Sequence, residues 1–266
     1  MALAPILVAG AGRMGGAIIA GWRLVDAWPA SELIIRDPFP GEAALAAVAE
    51  GARLNPDAEV IGEVATVVFA VKPQVWRSAA AELAPLIAPG ASVISILAGI
   101  GVADLASAFG ERPLARVMPT TAAAIGKGTA SVFATDPAAW ARARALFEPL
   151  GVVVDLASED LMHAATAASG SAPAYLYAFI EALQSAAVAA GLAPGAAARL
   201  ARSTITGAAA LLDESGQDPA ELRRQVTSPD GTTQAALDVL MGEAGLSGLL
   251  ERAVAAAAAR SRELGA

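Results

Sequence analysis

Apolar residues along the first 155 positions fall into short β-branched runs separated by stretches of helical periodicity. Pro5-Ile-Leu-Val-Ala9, Leu33-Ile-Ile35, Thr66-Val-Val-Phe-Ala-Val71, Ser92-Val-Ile-Ser-Ile96, Ala115–Val117 and Gly151-Val-Val-Val-Asp155 read as strands. Met14–Leu24, Ala43–Glu50 and Val75–Ile87 read as the helices between them. Strands alternating with helices imply βαβ units, and hence a parallel sheet covered by helices on both faces. Beyond about residue 160 the rhythm changes. Ala- and Leu-rich segments at 173–190, 195–214, 219–226, 232–241 and 246–264 are expected to be helices, punctuated by Gly-Pro stretches. The fold class is therefore α/β, with a βαβ domain over 1–158 followed by an all-α domain over 159–266. Tyr175–Leu183 is apolar almost all round, as expected of a helix buried on several sides and completed by a partner subunit.

Composition narrows the field. The chain has 266 residues, of which 56% are hydrophobic and 17% charged, ample for a core and unlike a disordered chain. With 18 Lys and Arg against 26 Asp and Glu, its net charge of -8 argues against nucleic acid and anionic membranes as partners. There is no cysteine and one histidine, so thiolate sites and disulfides are excluded, and histidine metal chemistry and a Ser-His-Asp triad are not expected. No metal is expected, and no segment reads as a membrane span or a signal peptide. The chain is expected to be cytoplasmic.

Gly10-Ala11-Gly12-Arg13-Met14-Gly15 follows the first strand and opens the first helix. The first Gly permits a tight turn, the second lets a pyrophosphate approach the backbone, and the third lets helix and strand pack closely. Asp37 lies 22 positions after Gly15 (37 − 15), where a carboxylate would hold the adenosine ribose of NADH. Its neighbour Arg36 could instead meet the 2′-phosphate of NADPH, so both cofactors stay open. Ala70-Val71-Lys72-Pro73 and Ile96-Leu97-Ala98 end two further strands, the side of such a sheet on which ligands bind. His163 is expected to be a boundary residue rather than a catalyst.

The segment Val226-Thr-Ser-Pro-Asp-Gly-Thr-Thr233 puts a Pro-Asp-Gly turn between hydroxyl pairs ahead of an apolar helix. Pro229 and Gly231 suit a tight turn, with Gly231 taking φ > 0 and Thr232 or Thr233 capping a helix from about Gln234. Backbone N–H groups at such a helix start make a carboxylate or phosphate pocket.

Taken in order, these segments resemble the pyrroline-5-carboxylate reductase family over essentially the whole chain. The resemblance rests on Gly10–Gly15, Ala70–Gln74, Ser95–Gly99, Met118-Pro119, Ser169–Tyr175 and, most specifically, Val226–Thr233. It implies NAD(P)H-dependent reduction of the C=N bond of L-1-pyrroline-5-carboxylate to L-proline. It also implies an N-terminal Rossmann dinucleotide-binding domain over 1–158, a helical dimerisation domain over 159–266, active sites built between subunits, and homodimers that can form a larger ring. Ser228, Gly231, Thr232, Thr233, Gln225 and Glu159 would contact the substrate, with the Thr233 hydroxyl at the ring nitrogen as the catalytic group. The chain departs from the family's usual residues at Thr120, Ala172, His163, Asp57 and Arg36-Asp37, which bears chiefly on cofactor choice. A reductase of another cyclic imine, a β-hydroxyacid-type dehydrogenase and a non-catalytic dinucleotide-binding regulator are the alternatives. The second would normally show a substrate-facing Lys, and residues 160–225 contain none. The third would have no use for the Val226–Thr233 segment.

Overall fold

The computed structural model describes residues 3–264. Eight strands form one sheet: β1 (Ile6–Ala9), β2 (Leu33–Arg36), β3 (Arg53–Leu54), β4 (Thr66–Phe69), β5 (Ser92–Ser95), β6 (Leu114–Pro119), β7 (Gly128–Ala134) and β8 (Gly151–Asp155). Their order across the sheet is β3-β2-β1-β4-β5-β6-β7-β8. Strands β1 to β6 are mutually parallel, with Ile6 beside Leu33 on one flank and Thr66 on the other. The expectation of a wholly parallel sheet needs one correction. β7 runs antiparallel to β6, with Met118 opposite Ser131, and β8 follows β7 in parallel. The reason is the short β6–β7 connection, a single 3₁₀ segment (Thr121–Ile125) that is too short for a crossover.

The alternation along β1 shows why the sheet is covered on both faces. Ile6 and Val8 pack into one core with Ile18, Ile19 and Trp22 of α1 (Arg13–Leu24), Ala44 and Ala47 of α2 (Glu42–Ala49), and three later residues, Ala143, Leu146 and Phe147. Leu7 and Ala9 point the other way, to Ile61 of α3 (Ala58–Gly62), Trp76 and Leu83 of α4 (Trp76–Leu83), and Leu105 and Phe109 of α5 (Val102–Phe109). Each fully buried Ile, Leu or Phe contributes about 1.5–3 kcal/mol relative to exposure. Trp22 also needs a partner for its indole N–H, and donates to the Leu146 carbonyl at 2.8 Å. The helix carrying Leu146, α6 (Pro137–Phe147), starts on an Asp136 side chain that accepts from the Ala138 and Ala139 N–H groups.

The remaining helices are α7 (Leu161–Ala165), α8 (Ala172–Ala189), α9 (Pro194–Ser215), α10 (Pro219–Gln225), α11 (Thr232–Leu240) and α12 (Leu246–Glu263). A π-helical turn, Thr166–Gly170, follows α7. The chain forms two compact units. One runs to Gly170 and includes the residues from Ala257 on, and the other spans Ser171–Ala256. The division falls 12 residues past the expected boundary (170 − 158) because α7 and the π turn pack with the sheet, Met162 and Ala167 being buried there.

Within the helical unit, the expected burial of Tyr175–Leu183 is not met inside one chain. No residue of α8 is buried, and Tyr177 is 61% exposed. An apolar helix left this bare has too little chain in its own unit to cover it. No helix among the described residues is long and apolar enough to cross a membrane.

Candidate active site

Strand order reverses at β1, which has β2 on one side and β4 on the other, so the connections leaving β1 and β4 diverge and open a crevice at their carboxyl ends. The glycine-rich turn sits there. Gly10 has φ +95°, and an added Cβ would lie 2.6 Å from the Ala70 carbonyl oxygen, so this position must be Gly. At Gly15 an added Cβ would fall on the Gly10 carbonyl oxygen, so helix α1 can approach β1 this closely only without a side chain. Gly12 is different: its φ is -70° and nothing lies within 4 Å of an added Cβ. The open space over Gly12, at the N-terminus of a 12-residue helix, is the observation that fits a dinucleotide pyrophosphate. Gly12→Ala is therefore expected to leave thermal stability nearly unchanged while weakening dinucleotide binding by about ten-fold or more, because the methyl occupies ligand space. Calorimetric melting beside a binding titration reads both, and equal binding by the variant would remove the pyrophosphate from this position.

Arg13 is exposed and Met14 half-buried on the first turn of α1, while Ala11 is buried beneath the turn. Its N–H donates to Asp37 Oδ2 at 2.6 Å, and the Phe39 N–H donates to Asp37 Oδ1 at 2.7 Å. Asn55, which sequence reasoning missed, completes this brace. Its Oδ1 accepts from the Asp37 N–H at 2.9 Å and its amide donates to the Asp37 carbonyl at 2.8 Å. The Asn55-Pro56 pair, a turn former, was the available signal. Each Asp37 oxygen retains acceptor capacity beyond the one backbone bond it makes. Arg36 turns away from this brace, its Nη2 3.4 Å from Glu82 Oε2 on α4.

Around the crevice, Ala70 and Val71 are half-buried and Lys72 and Pro73 exposed beyond the end of β4. Ile96, Leu97 and Ala98 follow β5, with the Ile96 N–H bonded to the Phe69 carbonyl and Leu97 N–H 3.3 Å from Ser95 Oγ. Thr120 is buried and its hydroxyl accepts from the Thr129 N–H at 3.0 Å, so it closes the β6–β7 connection. Glu159 is occupied too. Its Oε1 accepts from the Arg116 guanidinium at 2.8 Å and from the Val102 N–H at the start of α5. Arg116 is 3% exposed, and a buried guanidinium without that carboxylate would be costly. Nearby, His163 Nδ1 lies 3.0 Å from Ser261 Oγ. Burial first, then the positive charges of Arg116 and Arg262, lower its pKa from the ordinary value, against Asp160 and Glu159, which raise it. The shift favours the neutral imidazole.

The helical unit carries the other predicted cluster. Ser228 to Gly231 form a turn in which the Gly231 N–H donates to the Ser228 carbonyl at 3.1 Å. Two expectations are corrected here. Asp230, not Gly231, takes the left-handed conformation, with φ 57° against -82°. Gly231 is favoured instead by closeness, since an added Cβ would meet the Ser228 hydroxyl and lie 3.0 Å from its carbonyl oxygen. In addition, neither threonine caps the helix. Gly231 is the N-cap, α11 begins at Thr232, and no side chain caps it. The Thr232 and Thr233 N–H groups and the Thr233 hydroxyl have no partner among the described residues. The Gln225 side chain is engaged locally, its amide donating to Gln217 Oε1 at 2.8 Å. No cluster of His, Cys, Asp or Glu among the described residues could hold a metal.

A doubly wound sheet, a glycine turn at its switch point and a carboxylate braced at the end of β2 define a dinucleotide-binding protein of the Rossmann class. Comparison with known proteins narrows the class. Residues 159–264 match the family described as pyrroline-5-carboxylate reductase dimerisation, and residues 5–99 match the one described as NADP oxidoreductase, coenzyme F420-dependent. A pyrroline-5-carboxylate reductase of Pseudomonas aeruginosa is 36% identical over 96% of this chain and 94% of its own length. The solved reductase from Coxiella burnetii superposes with a TM-score of 0.90 at 29% identity, covering 100% of both chains. That from Plasmodium falciparum, solved with NADP bound, gives 0.82 at 25% identity, covering 99% of this chain and 98% of its own. This chain belongs to the pyrroline-5-carboxylate reductase family.

Proposed function

We infer that this chain reduces L-1-pyrroline-5-carboxylate to L-proline, the last step of proline synthesis, with NADH or NADPH as the reductant. The observation that carries the reading is the start of α11, where unspent N–H groups stand beside an unspent threonine hydroxyl. Two N–H groups at a helix N-terminus suit a carboxylate, through direct hydrogen bonds and the helix dipole. The Thr233 hydroxyl is then the group that hydrogen-bonds the ring nitrogen. Ser228 and Gly231 shape the turn that holds these donors. When bound, the nicotinamide supplies a hydride to the C=N carbon. A protonated cyclic imine is already electrophilic, so this chain needs no covalent nucleophile. Its residues hold the carboxylate, fix the ring nitrogen with its proton at Thr233 Oγ, and orient the reacting carbon.

Ribose recognition in this reading favours NADH. The spare lone pairs of Asp37 suit the two hydroxyl donors of an unmodified ribose, whereas a 2′-phosphate brings negative charge and no proton to donate there. Glu159, Gln225 and Lys72 stay in the proposal only as secondary contacts, since the first two already have partners within the chain. The bare apolar faces of α8 support a homodimer built on the helical unit. Assembly of dimers into a ring and a cytoplasmic location complete the proposal.

Initial rates with pyrroline-5-carboxylate and matched NADH or NADPH test the cofactor part. NADH is expected to be the better substrate by about ten-fold, as the ligand that leaves Asp37 fully paired. A preference for NADPH would overturn the role of Asp37 and leave the reaction class standing.

A further inference from the structure

Beside the glycine turn, the carboxyl ends of β1 and β4 open into a slot of about 250 Å³. Pro38, Val71, Val75 and Ala79 give it apolar walls, and Arg36 and Glu82 line it as well. Arg36, Pro38 and Glu82 also line a second cavity of about 400 Å³ that runs on to Asn55 and Ala58. The Arg36–Glu82 pair thus stands between the two. Val75, Ala79 and Glu82 fall at i, i+4 and i+7, which puts Glu82 on the slot-facing side of α4. An apolar slot next to a ribose carboxylate has the chemistry of an adenine site.

We propose that Glu82 is a specificity-determining residue for the dinucleotide. It holds the Arg36 guanidinium against α4, away from the ribose edge at Asp37, and adds a second negative charge beside any 2′-phosphate. The proposal rests on the reading that this slot takes the adenosine end of the cofactor. Arg36 is the cation next in sequence to Asp37, and a guanidinium recognises phosphate best through two parallel N–H bonds. Its contact with Glu82 is single, long and solvent-exposed, with Glu82 69% exposed. A pair of that kind adds little to stability. Its weight lies in competing for Arg36, and Glu82 can be changed without harm to the fold.

The test is the affinity of the purified, full-length protein for NADH and NADPH, by titration calorimetry, for wild type, Glu82→Gln, Arg36→Ala and the double variant. Glu82→Gln is expected to tighten NADPH by roughly ten-fold, which is about 1.4 kcal/mol, and to leave NADH within about two-fold. In the Arg36→Ala background the gain is expected to shrink below about three-fold, because no guanidinium is left to release. An unchanged ratio in Glu82→Gln, or an undiminished gain without Arg36, overturns the proposal while the cofactor reading stands. Wild-type protein that binds neither dinucleotide overturns both.

Discussion

Thr233→Ala is expected to cut turnover by about two orders of magnitude, the scale on which losing one hydrogen bond to a reacting group acts. Dinucleotide affinity and thermal stability are expected to stay at wild-type values. The second half of this expectation comes from the geometry of α11. A capping threonine would cost about 1 kcal/mol when replaced by Ala. Thr233 is not the cap, and its hydroxyl bonds nothing else among the described residues, so its removal leaves no orphaned group. Steady-state kinetics, dinucleotide titration and melting on one preparation separate the effects. Unchanged turnover would remove Thr233 from the chemistry. A fall in turnover matched by a fall in stability would make it a structural residue.

Gly15→Ala is expected to do the opposite, damaging fold and cofactor binding together. The new methyl would fall on the Gly10 carbonyl oxygen, and Gly10 is itself pressed against the Ala70 backbone. Neither neighbour is the free end of a side chain. The helix must back away from the sheet, at a cost of about 3 kcal/mol, the upper part of the range for overpacking. Urea unfolding measures the loss. Stability within about 0.5 kcal/mol of wild type would show that α1 and β1 are not held as closely as the third glycine implies.

The contrast among Gly10, Gly12 and Gly15 shows how much of this molecule was legible in its sequence. Spacing alone assigns the three glycines their roles, and the structure gives each a physical counterpart: a left-handed turn, open space and a close approach. Strands β1, β2, β4, β5, β6 and β8 were legible as short, largely apolar runs rich in β-branched residues. β7 was not, since Gly128-Thr-Ala-Ser-Val-Phe-Ala134 is half small residues, and with it went the reversal of the sheet. Helix α6 is marked by Asp136-Pro137, a side-chain cap followed by proline at the first helical position. β3 is two residues long and carries no periodicity to read.

A turn at Ser228–Gly231 stands where the sequence puts one, but its detail differs. Pro-Asp-Gly fits two turn geometries, and local chemistry favours glycine at φ > 0. The folded turn instead puts Asp230 at φ 57° and leaves Gly231 at -82°. Glu159 was placed by resemblance, and its bonds to Arg116 and Val102 could not be read from spacing across 43 and 57 positions. The apolar circumference of α8 was legible too. No residue of it is buried within the single chain.

The central claim is hydride delivery to the C=N carbon of pyrroline-5-carboxylate, and isotope transfer tests it most directly. The purified protein would be given the imine and reduced dinucleotide carrying deuterium at the transferable position, and the products analysed by mass spectrometry and NMR. Proline with one deuterium on the carbon that was doubly bonded to nitrogen, in step with dinucleotide oxidised, is the expected result. Oxidation of the dinucleotide without labelled proline, or none at all from folded protein that binds it, would contradict the account.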